Sequence, residues 1–301
     1  MSSVPSTLLQ TPRERGEAQK VSALPRLLIL LILPIALAGC ASFSRQILYS
    51  PDPSPASAHW TGQPPQQVSA RTAEDLELKG YFWPGPPGDP DIFVFFHGRN
   101  WSAGRSADFV QPLARTGNGV LVASYRGFGD NPGRPSQARM LEDAEAFIDI
   151  AAARAGPGAR IWLVGHSIGA AVALRMATTD ERIRGVFAMS AFARVAEAAP
   201  RLARAFIPDR WDNLEALGTL NKPVILLQGV LDRFIPDDSG DALFSAYAGP
   251  ASLIVGEDSR HNPDMKALAP WFDKAITAMQ GGSLADLPPP PAGWIEKVRR
   301  P

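Results

Sequence analysis

Unbroken apolar runs alternate along this chain with stretches in which apolar residues recur every three or four positions. Ile92, Phe93, Val94, Phe95 and Phe96 follow one another without a polar break, the pattern of a strand buried on both faces. Residues 119–125 repeat it, and residues 159–164, 183–189, 223–227 and 251–255 read as further strands. Residues 76–83 alternate instead, as a half-buried strand does, and a proline- and glycine-rich turn at 84–90 ends them. Between the runs, residues 137–155 carry Leu141, Ala144, Phe147, Ile148 and Ala151 at helical spacing. Residues 170–177 and 268–279 also read as helices, and 191–206 as a small covering helix with Phe192, Val195, Leu202 and Phe206 inward. Strands alternating with helices predict an α/β domain: a mostly parallel central sheet with helices on both faces and a short lid.

The two ends break this rhythm. Arg13, Arg15, Lys20 and Arg26 precede an apolar run, 27–37, that ends in Ala38, Gly39 and Cys40. A basic stretch, a short apolar stretch and small residues before a cut site make a secretory signal, expected here over 1–39. The run falls short of the roughly 20 residues that cross a bilayer as a helix. Leu37-Ala38-Gly39-Cys40 resembles the bacterial lipobox, whose cysteine becomes the lipidated first residue of the mature chain. That resemblance implies a lipid anchor on Cys40, stable because it carries more than one acyl chain. An uncleaved signal anchor and an ordinary signal peptide are the alternatives. The expected location is the cell envelope, on the outer face of the inner membrane or in the outer membrane on its periplasmic side; Ala41 after the cysteine favours the latter. Residues 40–67, rich in Pro, Ser and Gln, read as a tether, 68–280 as the folded domain and 281–301 as a proline-rich tail.

Composition narrows the field by exclusion. A 301-residue chain with 45% hydrophobic residues and no net charge has no basic excess to suggest nucleic acid as a partner. Cys40 is the only cysteine, which removes internal disulfides and thiol chemistry from the domain. No metal-ligand cluster, phosphate loop or dinucleotide motif stands out, so no metal or cofactor is expected.

Gly165-His166-Ser167-Ile168-Gly169 lies between an expected strand and an expected helix. A serine on such a sharp turn is pushed out of the sheet, where its hydroxyl can attack a carbonyl; the small neighbours let the turn close. The hydroxyl needs a base. Of the four histidines, His59 lies in the tether, His166 adjoins the serine with its side chain expected to point elsewhere as a packing or supporting residue, and His97 ends a strand. His261, between the last strand and the last helix, is the expected base. Asp232, at the carboxyl end of the strand over 223–227, is the expected acid that orients it. Asp237 and Asp238 are expected to cap the next helix.

The order Ser167, Asp232, His261 is that of α/β hydrolases. With His97-Gly98, Tyr125-Arg126-Gly127-Phe128-Gly129 and the frame from Gly229 to Pro236, residues 76–279 resemble an α/β-hydrolase-fold serine hydrolase of the small esterase, thioesterase and aminopeptidase-like branch. Gln228 stands where members usually carry histidine. The resemblance implies an oxyanion hole made by the backbone N–H groups of Ile168 and Arg99, with the Arg99 guanidinium either near the site or turned to solvent. It also implies cleavage of an acyl ester or thioester of a small-molecule or lipid substrate through an acyl-enzyme on Ser167. A peptidase or acyltransferase using the same three residues is the alternative within enzymes; a non-catalytic envelope lipoprotein is the alternative outside them.

Overall fold

A computed structural model describes residues 44–51, 59–198, 204 and 207–297. The expected signal peptide and Cys40 lie outside the described residues. Strands β1 (Gln66–Arg71), β2 (Glu77–Trp83), β3 (Asp91–Phe96), β4 (Gly119–Val122), β5 (Arg160–His166), β6 (Ile183–Met189), β7 (Val224–Gly229), β8 (Ala251–Gly256) and β9 (Trp294–Lys297) form one sheet. Their spatial order is β1-β2-β4-β3-β5-β6-β7-β8-β9. The pairings from β4 through β8 are parallel; β1 with β2, β2 with β4 and β8 with β9 are antiparallel.

The unbroken apolar runs follow from this placement. In β3, Ile92, Val94 and Phe96 face one core while Phe93 and Phe95 face another. β5 divides Ile161 and Leu163 from Trp162 and Val164, and β7 divides Val224 and Leu226 from Ile225 and Leu227, in the same way. Helices α2 (Gln137–Ala155) and α3 (Ile168–Thr179) cover the first face, through Ala144, Phe147 and Ile148 and an almost wholly buried alanine-rich α3. Helices α1 (Ala103–Ala114) and α6 (Met265–Met279) cover the second, where Phe272 stacks on Phe187 at 4.3 Å. Each large side chain removed from water in these layers contributes about 1.5–3 kcal/mol. Short helices α4 (Asn213–Thr219) and α5 (Ser239–Ala246) complete the first face. Asp238 is the N-cap of α5 by position, although its side chain makes no capping hydrogen bond.

Three segments differ from expectation. Within the expected tether, residues 44–49 are helical and Tyr49 is buried, its hydroxyl donating to Asp209 (2.8 Å) and accepting from Trp211 Nε1 (3.0 Å); Arg45 pairs with the same aspartate. The buried aromatic ring and its satisfied hydroxyl hold down a segment whose composition alone reads as linker. Within the expected tail, β9 adds a strand to β8, and Trp271 Nε1 donates to the Pro288 carbonyl. The expected helix over 191–206 shows, in its described part, 3-10 conformation at Val195–Ala198 and at Arg204 and no α-helix. There Asn213 holds the chain instead, its N–H donating to the Ala193 carbonyl and its amide to the Phe192 carbonyl.

Candidate active site

Ser167 sits between the last residue of β5 and the first of α3, with φ 56° and ψ −117°. Such a backbone costs a non-glycine residue on the order of 1–3 kcal/mol and persists only where its surroundings hold it. Here its N–H donates to the Met189 carbonyl at the end of β6 (2.9 Å), and its carbonyl accepts from Ala170 N–H (3.0 Å). The flanking glycines are required by contact. A Cβ at Gly165 would lie 2.4 Å from the Gly169 oxygen, and one at Gly169 would lie 2.0 Å from the Phe96 oxygen. The serine is buried except for a small opening.

The loops that follow β7 and β8 carry Asp232 and His261, the expected acid and base. Asp232 Oδ1 accepts from the N–H groups of Phe234 (2.8 Å) and Ile235 (3.2 Å), which leaves Oδ2 for His261 Nδ1 at 2.9 Å. Burial alone would raise this carboxyl. The hydrogen bonds from His261 and from the two backbone N–H groups outweigh it and hold the group below the usual carboxylate value. The two loops are in close contact: a Cβ at Gly229 would lie 2.3 Å from the Ser259 oxygen, and Leu231 N–H donates to that oxygen. A side chain at position 229 would therefore separate Asp232 from His261.

The backbone of His261 is fixed to the serine turn. Its carbonyl accepts from His166 Nε2 (2.8 Å) and from Ser190 Oγ (2.8 Å), residues that directly follow or precede the atoms positioning Ser167. With Nδ1 committed to Asp232, the Nε2 of His261 remains for the hydroxyl; the two are not hydrogen-bonded to each other in this structure.

The other histidines have different surroundings. His166 is fully enclosed, stacked on Trp101 at 4.9 Å and edge-on to His261 at 4.8 Å. Burial, reinforced by His261, lowers its pKa to about 3. Donation to the His261 carbonyl puts its proton on Nε2 and leaves Nδ1 without a partner. A packing role for this residue was expected from the chain; its partner, a carbonyl 95 positions away, was not legible there. His97 is also enclosed, between the Gly98 carbonyl (2.8 Å) and Ser124 Oγ (3.2 Å), and burial lowers it to about 4. His59 lies beside α1, where its carbonyl accepts from Gln111.

Of the expected oxyanion donors, Ile168 is the first residue of α3, where a backbone N–H has no partner within the helix. The loop after β3 runs alongside: a Cβ at Gly98 would lie 3.5 Å from Ser167 Cβ, which places the neighbouring Arg99 backbone at the rim. The Arg99 guanidinium is at the surface and donates to Ser50 Oγ at 3.3 Å. Among the described residues, no group of three or more His, Cys, Asp or Glu side chains is arranged to hold a metal ion.

Comparison with known proteins agrees with the fold. Residues 90–213 match the family described as serine aminopeptidase, S33. The uncharacterized protein Rv2307c of Mycobacterium tuberculosis is 28% identical over 257 residues, covering 81% of this chain and 90% of the relative. Among solved structures, the esterase Pf2001 of Pyrococcus furiosus superposes with a TM-score of 0.57 at 16% identity, covering 77% of this chain and 96% of that one. A puromycin-hydrolyzing peptidase of Mycobacterium tuberculosis gives 0.59 at 20% identity, covering 73% of this chain and 39% of that one.

Proposed function

We propose that this chain, whose fold is that of the α/β hydrolases, is a serine hydrolase with Ser167 as nucleophile, His261 as base and Asp232 as the group that orients the base. The observation that carries the reading is the double fixing of His261, by Asp232 at Nδ1 and by the serine turn at its carbonyl. Attack of Ser167 Oγ on an acyl carbon passes the hydroxyl proton to His261 Nε2, and the Asp232 carboxylate stabilises the imidazolium that forms. The oxyanion is met by the N–H groups of Ile168 and Arg99. The imidazolium returns its proton to the leaving group, giving an acyl-enzyme; water, deprotonated by His261, then releases the acid. The scissile bond is an ester or thioester. A peptidase reading of the same residues is favoured by the serine aminopeptidase match. Cys40 carries a lipid anchor that keeps the enzyme on the cell envelope.

A fluorophosphonate probe should label the wild-type chain and spare Ser167→Ala. A panel of acyl esters, thioesters and aminoacyl amides then separates the two readings, and Asp232→Asn should lower kcat by about 10⁴. Equal labelling of wild type and Ser167→Ala refutes the nucleophile assignment. Radiolabelled palmitate should be incorporated by the wild type and not by Cys40→Ala.

A further inference from the structure

Five large apolar side chains are exposed among the described residues, and their distribution is uneven. Val230, Leu231 and Phe234 belong to the loop that carries Asp232, with Phe234 80% exposed and its ring 5.0 Å from that of His261. A fourth, Ile47, lies in the 44–49 helix, whose following residue Ser50 is bonded to Arg99 beside Gly98 and the nucleophile. The opening above Ser167 is thus bordered, on the side of the Asp232 loop, by apolar groups held in water, an arrangement that marks an interaction surface.

Chain length identifies what covers it. Four peptide units separate Cys40 from residue 44, a span of at most about 14 Å when fully extended. A bilayer attached at Cys40 therefore lies within that reach of the 44–49 helix, whose following residue Ser50 is bonded to Arg99. Arg233 and Arg260 in the two catalytic loops are offset by Asp237, Asp238, Glu257 and Asp258, so the rim has no cationic excess to seek anionic headgroups.

We infer that the loop bearing Val230, Leu231 and Phe234 inserts into the surface of the membrane that anchors the chain, and that the substrate is an acyl amphiphile resident in that bilayer. The inference rests on the anchor and hydrolase readings above. Contact is apolar, and it presents the opening over Ser167 directly to lipid.

The test uses the full acylated chain in phosphatidylcholine vesicles, with an environment-sensitive fluorophore on Leu231→Cys or, as control, on Glu181→Cys in the exposed turn before β6. Emission at 231 should shift to the blue and be quenched by a lipid-borne quencher, with no change at 181, and added salt should not reverse it. Water-like emission at both positions overturns the inference. Label stoichiometry tests the anchor separately, since a second label per chain reveals a free Cys40 thiol. In the catalytic arm, Val230→Ser with Leu231→Ser should lower the ratio of vesicle-borne to soluble short-chain ester hydrolysis about tenfold. An unchanged ratio overturns the inference, whereas a wild type inert on both esters refutes the hydrolase reading and leaves the fluorescence result to decide the docking.

Discussion

His166 Nε2 lies 2.8 Å from the backbone carbonyl oxygen of His261, so the residue before the nucleophile holds the residue proposed as its base. Ser190 Oγ donates to the same oxygen, so losing one donor does not free the loop. Replacing the ring by phenylalanine keeps the stack on Trp101 and removes the donor. A neutral hydrogen bond contributes about 0.5–1.5 kcal/mol. His166→Phe should accordingly lower kcat roughly three- to tenfold with KM little changed, and His166→Gln should recover most of the loss. Unchanged kcat in His166→Phe would show that Ser190 alone positions the base.

The two enclosed histidines also govern acid stability. Their pKa values, about 3 for His166 and about 4 for His97, lie below those of the unfolded chain, where a histidine titrates near 6.5. Below that pH the unfolded state takes up protons that the native state refuses, so the stability present above about pH 6.5 declines as pH falls toward 4. Each histidine contributes a slope of roughly 1.4 kcal/mol per pH unit in that window. The depressed Asp232 carboxyl acts only lower, below the ordinary carboxylate range. Thermal unfolding at pH 7.5, 6 and 5 should show a falling Tm, with a shallower decline in His166→Phe. A flat Tm over this range contradicts the assignment of neutral buried rings.

Glycines at the turn and in α4 should respond in opposite directions. Gly169→Ala drives a methyl into the Phe96 carbonyl and should cost more than about 3 kcal/mol by urea unfolding, with loss of fluorophosphonate labelling. Gly218, inside α4, has nothing within 4 Å of an added Cβ. Gly218→Ala should stabilise the fold by about 0.4–1 kcal/mol with activity intact. Destabilisation at both positions would mean that the helix, too, is constrained by contact.

A buried ion pair offers a fourth measurement. Asp143, with no solvent exposure, accepts from the Arg126 backbone N–H (2.9 Å) and from its guanidinium at Nε (2.8 Å) and Nη2 (2.6 Å). Burial raises the Asp143 carboxyl, and the guanidinium only partly offsets it. Arg126→Met strands that carboxylate and should cost about 3–5 kcal/mol in urea unfolding. Adding Asp143→Leu should return most of it, because the charge left behind carries the cost. If the double variant is as unstable as the single, packing around Arg126 matters more than charge.

The central strands were legible because both faces of β3, β5 and β7 are covered, which forces continuous apolar runs. The serine turn was legible because only glycine fits at 165 and 169. Asp232 and His261 stood out because each lies beyond a strand end, and the structure brings their side chains to 2.9 Å. Other elements left no such trace. β1 buries only Val68 and Ala70, and β9 buries no residue fully, so each is defined by the neighbour it pairs with. α1 packs through the small residues Gly104, Ser106 and Ala107 and contains Pro112, which obscures its period. Tyr49 reveals its role only once Asp209 and Trp211 are beside it.

Because β9 pairs along β8, from Gly256 with Trp294 to Leu253 with Lys297, residues beyond the proline run brace the strand that leads directly into the His261 loop. Cutting the chain at the proline run would strip that brace and bare a row of amide and carbonyl groups, a ready template for strands of a second molecule. Loss of catalysis and self-association should then arrive together, though no residue of the reaction had been touched.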